Sequence, residues 1–122
     1  MMTTILVVDD SPTLVSGTSK ILASAGYDVI QAESGESGIK MAASDNPDLI
    51  LMDVVMPDLN GFQATRKLTS SEDTKHIPVI MLTTKDQETD KVWAQRQGAS
   101  DYVVKPPNTK ELLSKIEGLI DK

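Results

Sequence analysis

Five short apolar runs, Ile5 to Val8, Val29 to Ala32, Leu49 to Met52, Val79 to Leu82 and Tyr102 to Val104, recur along the chain with helix-length segments between them. Each run is too short for a helix, is rich in β-branched residues and is bounded by turn chemistry, so each reads as a strand. The segments between them carry helix punctuation. Ser11-Pro12 offers an N-cap followed by proline at the first helical position, Leu14, Ile21 and Leu22 supply an apolar face, and Gly26 closes the helix. A second helix runs from about Ser34 to Ser44, carries Ile39 and Met41, and ends at the turn Asp45-Asn46-Pro47. A third starts near Gly61 with Phe62 and Leu68, a fourth near Asp86 with Val92 and Trp93, and a fifth near Thr109 with Leu112, Leu113, Ile116 and Ile120. Near-continuously apolar strands joined by helical crossovers imply an α/β fold, with a parallel sheet covered on both faces. The polar stretch Thr69 to His76 reads as the most mobile connection.

A chain of 122 residues has room for one core, so residues 1–122 are expected to form a single domain with no output module beside it. The formal charge of −6 argues against a broad grip on nucleic acid, which needs clustered Lys and Arg. No apolar run approaches the roughly 20 residues that cross a bilayer, and MMTTILVVDD lacks the basic start of a secretory signal, so no membrane insertion is expected. The absence of cysteine removes disulfides and thiolate metal sites and fits a cytoplasmic location. Proteins or a cation are the expected partners.

In doubly wound sheets, ligands sit outside the carboxyl ends of the strands. Asp9 and Asp10 follow the first run, Asp53 the third, Thr83 and Thr84 the fourth, and Lys105-Pro106 the fifth. Gathered at one edge, three carboxylates, a hydroxyl and an ammonium make a phosphoryl-transfer set. Two carboxylates about 4 Å apart repel by roughly 4 kcal/mol at an effective dielectric near 20, so three together hold a proton or recruit a cation. Oxygen ligands without His or Cys favour Mg²⁺, with Mn²⁺ as the alternative. A bound metal would screen the repulsion and stabilise a phosphoryl group moving in line to a carboxylate nucleophile.

The motifs VVDD at Val7 to Asp10, LMDVVMPDLNG at Leu51 to Gly61, MLTT at Met81 to Thr84 and GASDYVVKP at Gly98 to Pro106 resemble the receiver domain of two-component response regulators, the family that includes the chemotaxis receiver. Thr83 lies thirty residues after Asp53 and Lys105 twenty-two further on, as that family's pattern expects. The resemblance implies a doubly wound (βα)5, flavodoxin-like receiver fold, with a five-stranded parallel sheet in the order 2-1-3-4-5 and helices on both faces. It makes Asp53 the phosphoacceptor and Asp10 a direct Mg²⁺ ligand. Asp53 and the backbone carbonyl of Val55 would also hold the ion, and Asp9 would do so through water. Lys105 would pair with the phosphoryl oxygens, its peptide bond to Pro106 being cis. Thr83 would be the switch hydroxyl and Tyr102 the switch aromatic. LNGFQATRKLT at Leu59 to Thr69 and TTKDQETDKVWAQRQGA at Thr83 to Ala99 are similar to the stand-alone receivers of the type IV pilus chemosensory pathway that governs twitching motility.

The function implied is acceptance of a phosphoryl group from a histidine kinase, followed by a change in the face built by the fourth helix, fifth strand and fifth helix. Lys91, Gln95, Tyr102 and Lys110 are the output-face candidates for a pilus-motor or other downstream protein. The chain would act as a monomer or transient dimer, and as no enzyme beyond its own phosphorylation and dephosphorylation. A phosphate sink, draining a kinase without an output partner, is the alternative role. A haloacid-dehalogenase-type phosphatase also uses an Asp after a parallel strand with Mg²⁺, but needs a second Asp two residues on; here the stretch is Asp53-Val54-Val55. Two departures from the chemotaxis receiver stand beside the site: Val55 where it has an amide, and Lys85 where it has an acid.

Overall fold

The computed structural model describes residues 3–54, 59–83, 92, 95–104 and 107–120. Its five strands are β1 (Thr4–Val8), β2 (Asp28–Ala32), β3 (Leu49–Asp53), β4 (Val79–Thr83) and β5 (Asp101–Val104). Among the described residues run the helices α1 (Pro12–Ser24), α2 (Gly35–Asp45), α3 (Gly61–Ser70) and α4 (Thr109–Ile120). The helix expected from about Asp86 falls largely outside the described residues, although Val92, Gln95 and Arg96 within it are helical. The strands form one parallel sheet in the order β2-β1-β3-β4-β5.

Alternation along the strands divides the core into two layers. Leu6, Val8, Ile50, Met52, Val79 and Met81 face one side, where Ala42 of α2 and Ala64 and Leu68 of α3 cover them. Ile5, Val7, Leu49, Leu51, Ile80, Leu82 and Val103 face the other, under Val15 and Leu22 of α1 and Leu112 and Ile116 of α4. All five residues of β3 are buried, which explains its unbroken apolar run up to Asp53.

Local chemistry fixes the helix ends. The Ser11 side chain caps α1 at the Leu14 amide, Pro12 opens the helix, and Gly26 leaves it with a φ of 93°. Asn46, in the left-handed region at φ 47°, ends α2. Asn60 and Gln63 exchange side-chain and backbone hydrogen bonds of 2.9 and 3.1 Å in a capping box that starts α3.

The seams of α1 and α2 differ in part from the apolar residues picked out by sequence, whereas Leu68 of α3 and Leu112 and Ile116 of α4 are buried as expected. In α1 the buried row is Val15, Thr18 and Leu22, with Leu14 and Ile21 only half-buried. In α2 it is Gly35, Gly38 and Ala42, with Ile39 and Met41 flanking it. Small residues let α2 sit close to the sheet: a Cβ on Gly38 would lie 2.8 Å from Val8 Cγ2. The 69–76 stretch is also more built than expected. Thr69 belongs to α3, and successive turns follow in which buried Thr74 donates its hydroxyl to the Leu68 carbonyl at 2.6 Å.

One buried group in this layer lacks a partner among the described residues: the hydroxyl of Thr65 on α3. Thr and Val have similar shape and helix propensity, so Thr65→Val removes the desolvated hydroxyl and little else. The variant is expected to gain about 1 kcal/mol in urea unfolding. An unchanged or lowered midpoint would show that the hydroxyl is satisfied.

Candidate functional site

The sheet order reverses between β1 and β3: the chain steps outward from β1 to β2, then returns to place β3 on the other side of β1. A crevice opens there at the carboxyl ends of the strands. Val8 pairs with Met52, so one step further along the register Asp9 stands beside Asp53. Asp9, Asp10 and Asp53 each offer a carboxylate oxygen, and the three atoms lie within 4.8 Å of one another.

These carboxylates differ in environment. Asp9 and Asp53 are buried, at 3% and 2% exposure, whereas Asp10 is exposed. The Asp9 amide donates to the Ala32 carbonyl at 3.1 Å, and one Asp9 carboxylate oxygen accepts the Ser11 amide at 2.9 Å. Ser11 then starts α1 at once, placing the positive end of its dipole next to the acidic pair. Asp53 is the last residue of β3 and pairs with Leu82, and the next amide, of Val54, donates to the Leu82 carbonyl at 3.1 Å. The Val54 carbonyl accepts the first amide of α3, that of Gly61, at 3.0 Å. The acidic pocket is therefore held by β1, β3 and the starts of α1 and α3.

The donor set fits a small hard cation. It contains only oxygen, and three carboxylates gathered this closely repel one another until a cation or proton offsets their charge. A groove of about 630 Å³ runs from Asp9 and Asp10 between α1 and β2, lined further along by Ser16, Lys20, Gln31 and Glu33.

Thr83 ends β4, with its backbone paired to Val104 at the same edge of the sheet. Tyr102 lies on β5, half-buried and paired with Met81. Gln95 and Lys110 are exposed. Val55, Thr84, Lys85, Lys91, Trp93, and Lys105-Pro106 with its expected cis bond, lie outside the described residues. His76 precedes β4, at the other end of the sheet from the acidic pocket, where its Nε2 is 2.9 Å from Asn46 Oδ1 at the end of α2.

Two further residues make contacts that sequence spacing does not reveal. Lys115 of α4 touches Tyr102 across the edge of the sheet, and also lies near Glu111 one turn earlier on its own helix. Gly61 marks a helix start in the sequence, but in the fold it touches the backbone of Asp53: a Cβ there would meet the Asp53 carbonyl group and lie 2.8 Å from Val54 Cα.

The family model described as response regulator receiver domain matches residues 5–117. The chain is 52% identical over 119 residues to Protein PilH of Pseudomonas aeruginosa, covering 98% of each. Among solved structures, the chemotaxis protein CheY4 of Vibrio cholerae superposes with a TM-score of 0.91 at 32% identity, covering 98% of this chain and 99% of that one. The receiver domain of a sensor histidine kinase from Pseudomonas aeruginosa superposes at 0.92 with 30% identity and full coverage of both, and holds a magnesium ion in its active-site cleft. Among the described residues of the present chain, no helix is long and apolar enough to cross a membrane.

Proposed function

The chain belongs to the response regulator receiver family, and we propose that it serves there as a phosphoryl-accepting switch whose acceptor is Asp53. The observation that carries this reading is the buried Asp53 carboxylate at the end of β3, gathered with Asp9 and Asp10 at the point where the strand order reverses. A carboxylate oxygen of Asp53 attacks the phosphorus of a phosphohistidine on a histidine kinase. The P–N bond breaks, the imidazole leaves with its electron pair, and an acyl phosphate remains on Asp53.

Receiver domains bind Mg²⁺ at such an acidic pocket, and here Asp10, Asp53 and the Val55 carbonyl would hold it, with Asp9 acting through water. The Ser11 amide already engages one Asp9 oxygen, which suits an outer role for that residue. When bound, the ion supplies charge compensation for the phosphoryl oxygens. Lys105 pairs with the same oxygens, and the Thr83 hydroxyl moves to donate to them. Tyr102 then turns into the space released, and the surface of β5 and α4, with the segment before β5, becomes the output. This chemistry is confined to the chain's own phosphorylation and dephosphorylation. Similarity to PilH supports a place in type IV pilus or chemosensory signalling, with a pilus-motor or other downstream protein as the partner.

Phosphoramidate carries a P–N bond like that of phosphohistidine and serves as a defined donor. Intact-mass measurement should show one added phosphoryl group with Mg²⁺ present and only background when Mg²⁺ is chelated. Labelling that survives chelation, or that maps to a residue other than Asp53, would overturn the reading.

A further inference from the structure

Tyr102 is held by one basic side chain in more than one way. Lys115 Nζ donates to the Tyr102 carbonyl at 2.7 Å and stands 4.9 Å from the centroid of the Tyr102 ring. The same ammonium pairs with Asp101 at 3.1 Å and lies 3.7 Å from Glu111, one turn earlier on α4. β5 is an edge strand, and its successive side chains divide between the layers: Tyr102 packs on the α2–α3 side and Val103 on the α1–α4 side. Lys115 thus reaches round the free edge of the sheet, from a helix on one face to a ring that packs on the other.

These contacts respond differently to rotation of the ring. The carbonyl belongs to the backbone of β5, and Asp101 is itself fixed, because its Oδ1 accepts the Tyr102 amide at 2.8 Å. Both hold the ammonium at one point whichever way the ring points. The ring gains the cation's attraction only while it lies beneath that point. Together they form a fixed cation beside a movable aromatic group.

We propose that Lys115 is a positioning residue for Tyr102: anchored by Asp101 and the Tyr102 carbonyl, its ammonium favours the ring orientation seen here and opposes the turn that accompanies phosphorylation. This rests on the reading of Tyr102 as the switch aromatic. Lys115→Met keeps most of the aliphatic stem and removes the cation. An exposed cation–π contact corresponds to about a two- to fivefold bias, so the variant should switch that much more readily.

The chain has two tyrosines, so 3-fluorotyrosine labelling gives two protein ¹⁹F resonances, with Tyr102→Phe assigning them and Tyr27 as internal reference. Titration with beryllofluoride and Mg²⁺, a phosphoryl mimic, adds a bound-fluoride resonance that reads site occupancy independently. The half-saturation of the Tyr102 shift is expected to fall about two- to fivefold in Lys115→Met and to return to the wild-type value in Lys115→Arg. Equal half-saturation in wild type and Lys115→Met would overturn the role of Lys115 while leaving the switch intact. A bound-fluoride signal with an unmoved Tyr102 resonance would remove the switch aromatic, and Lys115 with it, leaving the acceptor site standing. Absence of any bound-fluoride signal would overturn the acceptor reading and the switch built on it.

Discussion

Asp53→Asn is expected to lose phosphoryl labelling by roughly 10³-fold or more relative to wild type, under conditions where wild type labels fully. The two side chains have nearly the same shape, so the buried end of β3 and its pairing with Leu82 should persist, and circular dichroism should be unchanged. What changes is chemical. A carboxylate oxygen can attack phosphorus and carry away the phosphoryl group as an acyl phosphate, whereas the amide is a poor nucleophile and its product would not be the same mixed anhydride. Asp10→Asn supplies the contrast. It leaves the Asp53 carboxylate in place and removes one carboxylate of the acidic cluster, so on the proposed reading its labelling should recover as Mg²⁺ is raised. Asp53→Asn should not recover at any Mg²⁺ concentration. Full labelling of Asp53→Asn would place the acceptor elsewhere.

The acidic pocket was legible before the fold because its parts lie at strand ends, and strand ends are where this sequence is least ambiguous. β-branched runs closed by Asp9, Asp53 and Thr83 left little freedom, and all five strands fall within a residue of expectation at each end. Ser11-Pro12 and Asn46 announced helix ends for equally local reasons. The seams between helices and sheet were less legible. Hydrophobicity pointed to Ile39 and Met41 in α2, but its buried row is Gly35, Gly38 and Ala42, and it is Gly38 whose missing side chain leaves room for the sheet. Close approach depends on the facing residue, here Val8, which sequence spacing does not reveal. The contact of Lys115 with Tyr102 was hidden for a related reason. It passes around a sheet edge between residues on opposite layers, a relation defined only once β5 is known to be the edge.

Gly61→Ala is expected to cost about 2–3 kcal/mol of stability and to slow phosphorylation about 10- to 100-fold. Alanine is acceptable at the first position of a helix, and the Asn60–Gln63 capping box would remain, so helix propensity supplies no cost. The obstacle is the backbone opposite. The added Cβ would collide with the Asp53 carbonyl oxygen and come within 2.8 Å of both the Asp53 carbonyl carbon and Val54 Cα. Unlike the end of a flexible side chain, this backbone cannot swing aside: the Val54 amide is bonded to Leu82 and its carbonyl to Gly61 itself. Relief therefore requires α3 to withdraw or the end of β3 to move, and the second displaces Asp53 relative to Asp9 and Asp10. Gly118→Ala separates this from a general effect of adding a methyl group. Among the described residues outside its own stretch of helix, no atom lies within 4 Å of its added Cβ, and alanine at that helical site should raise stability by about 0.5–1 kcal/mol without touching the phosphorylation rate. Gly38→Ala provides the second control, because it strains Val8 in the core while leaving the Asp53 backbone alone. If Gly61→Ala and Gly38→Ala slowed phosphorylation equally for equal losses of stability, Gly61 would be a packing residue like any other. A slower rate in Gly61→Ala at matched stability would identify the missing side chain as part of what positions Asp53.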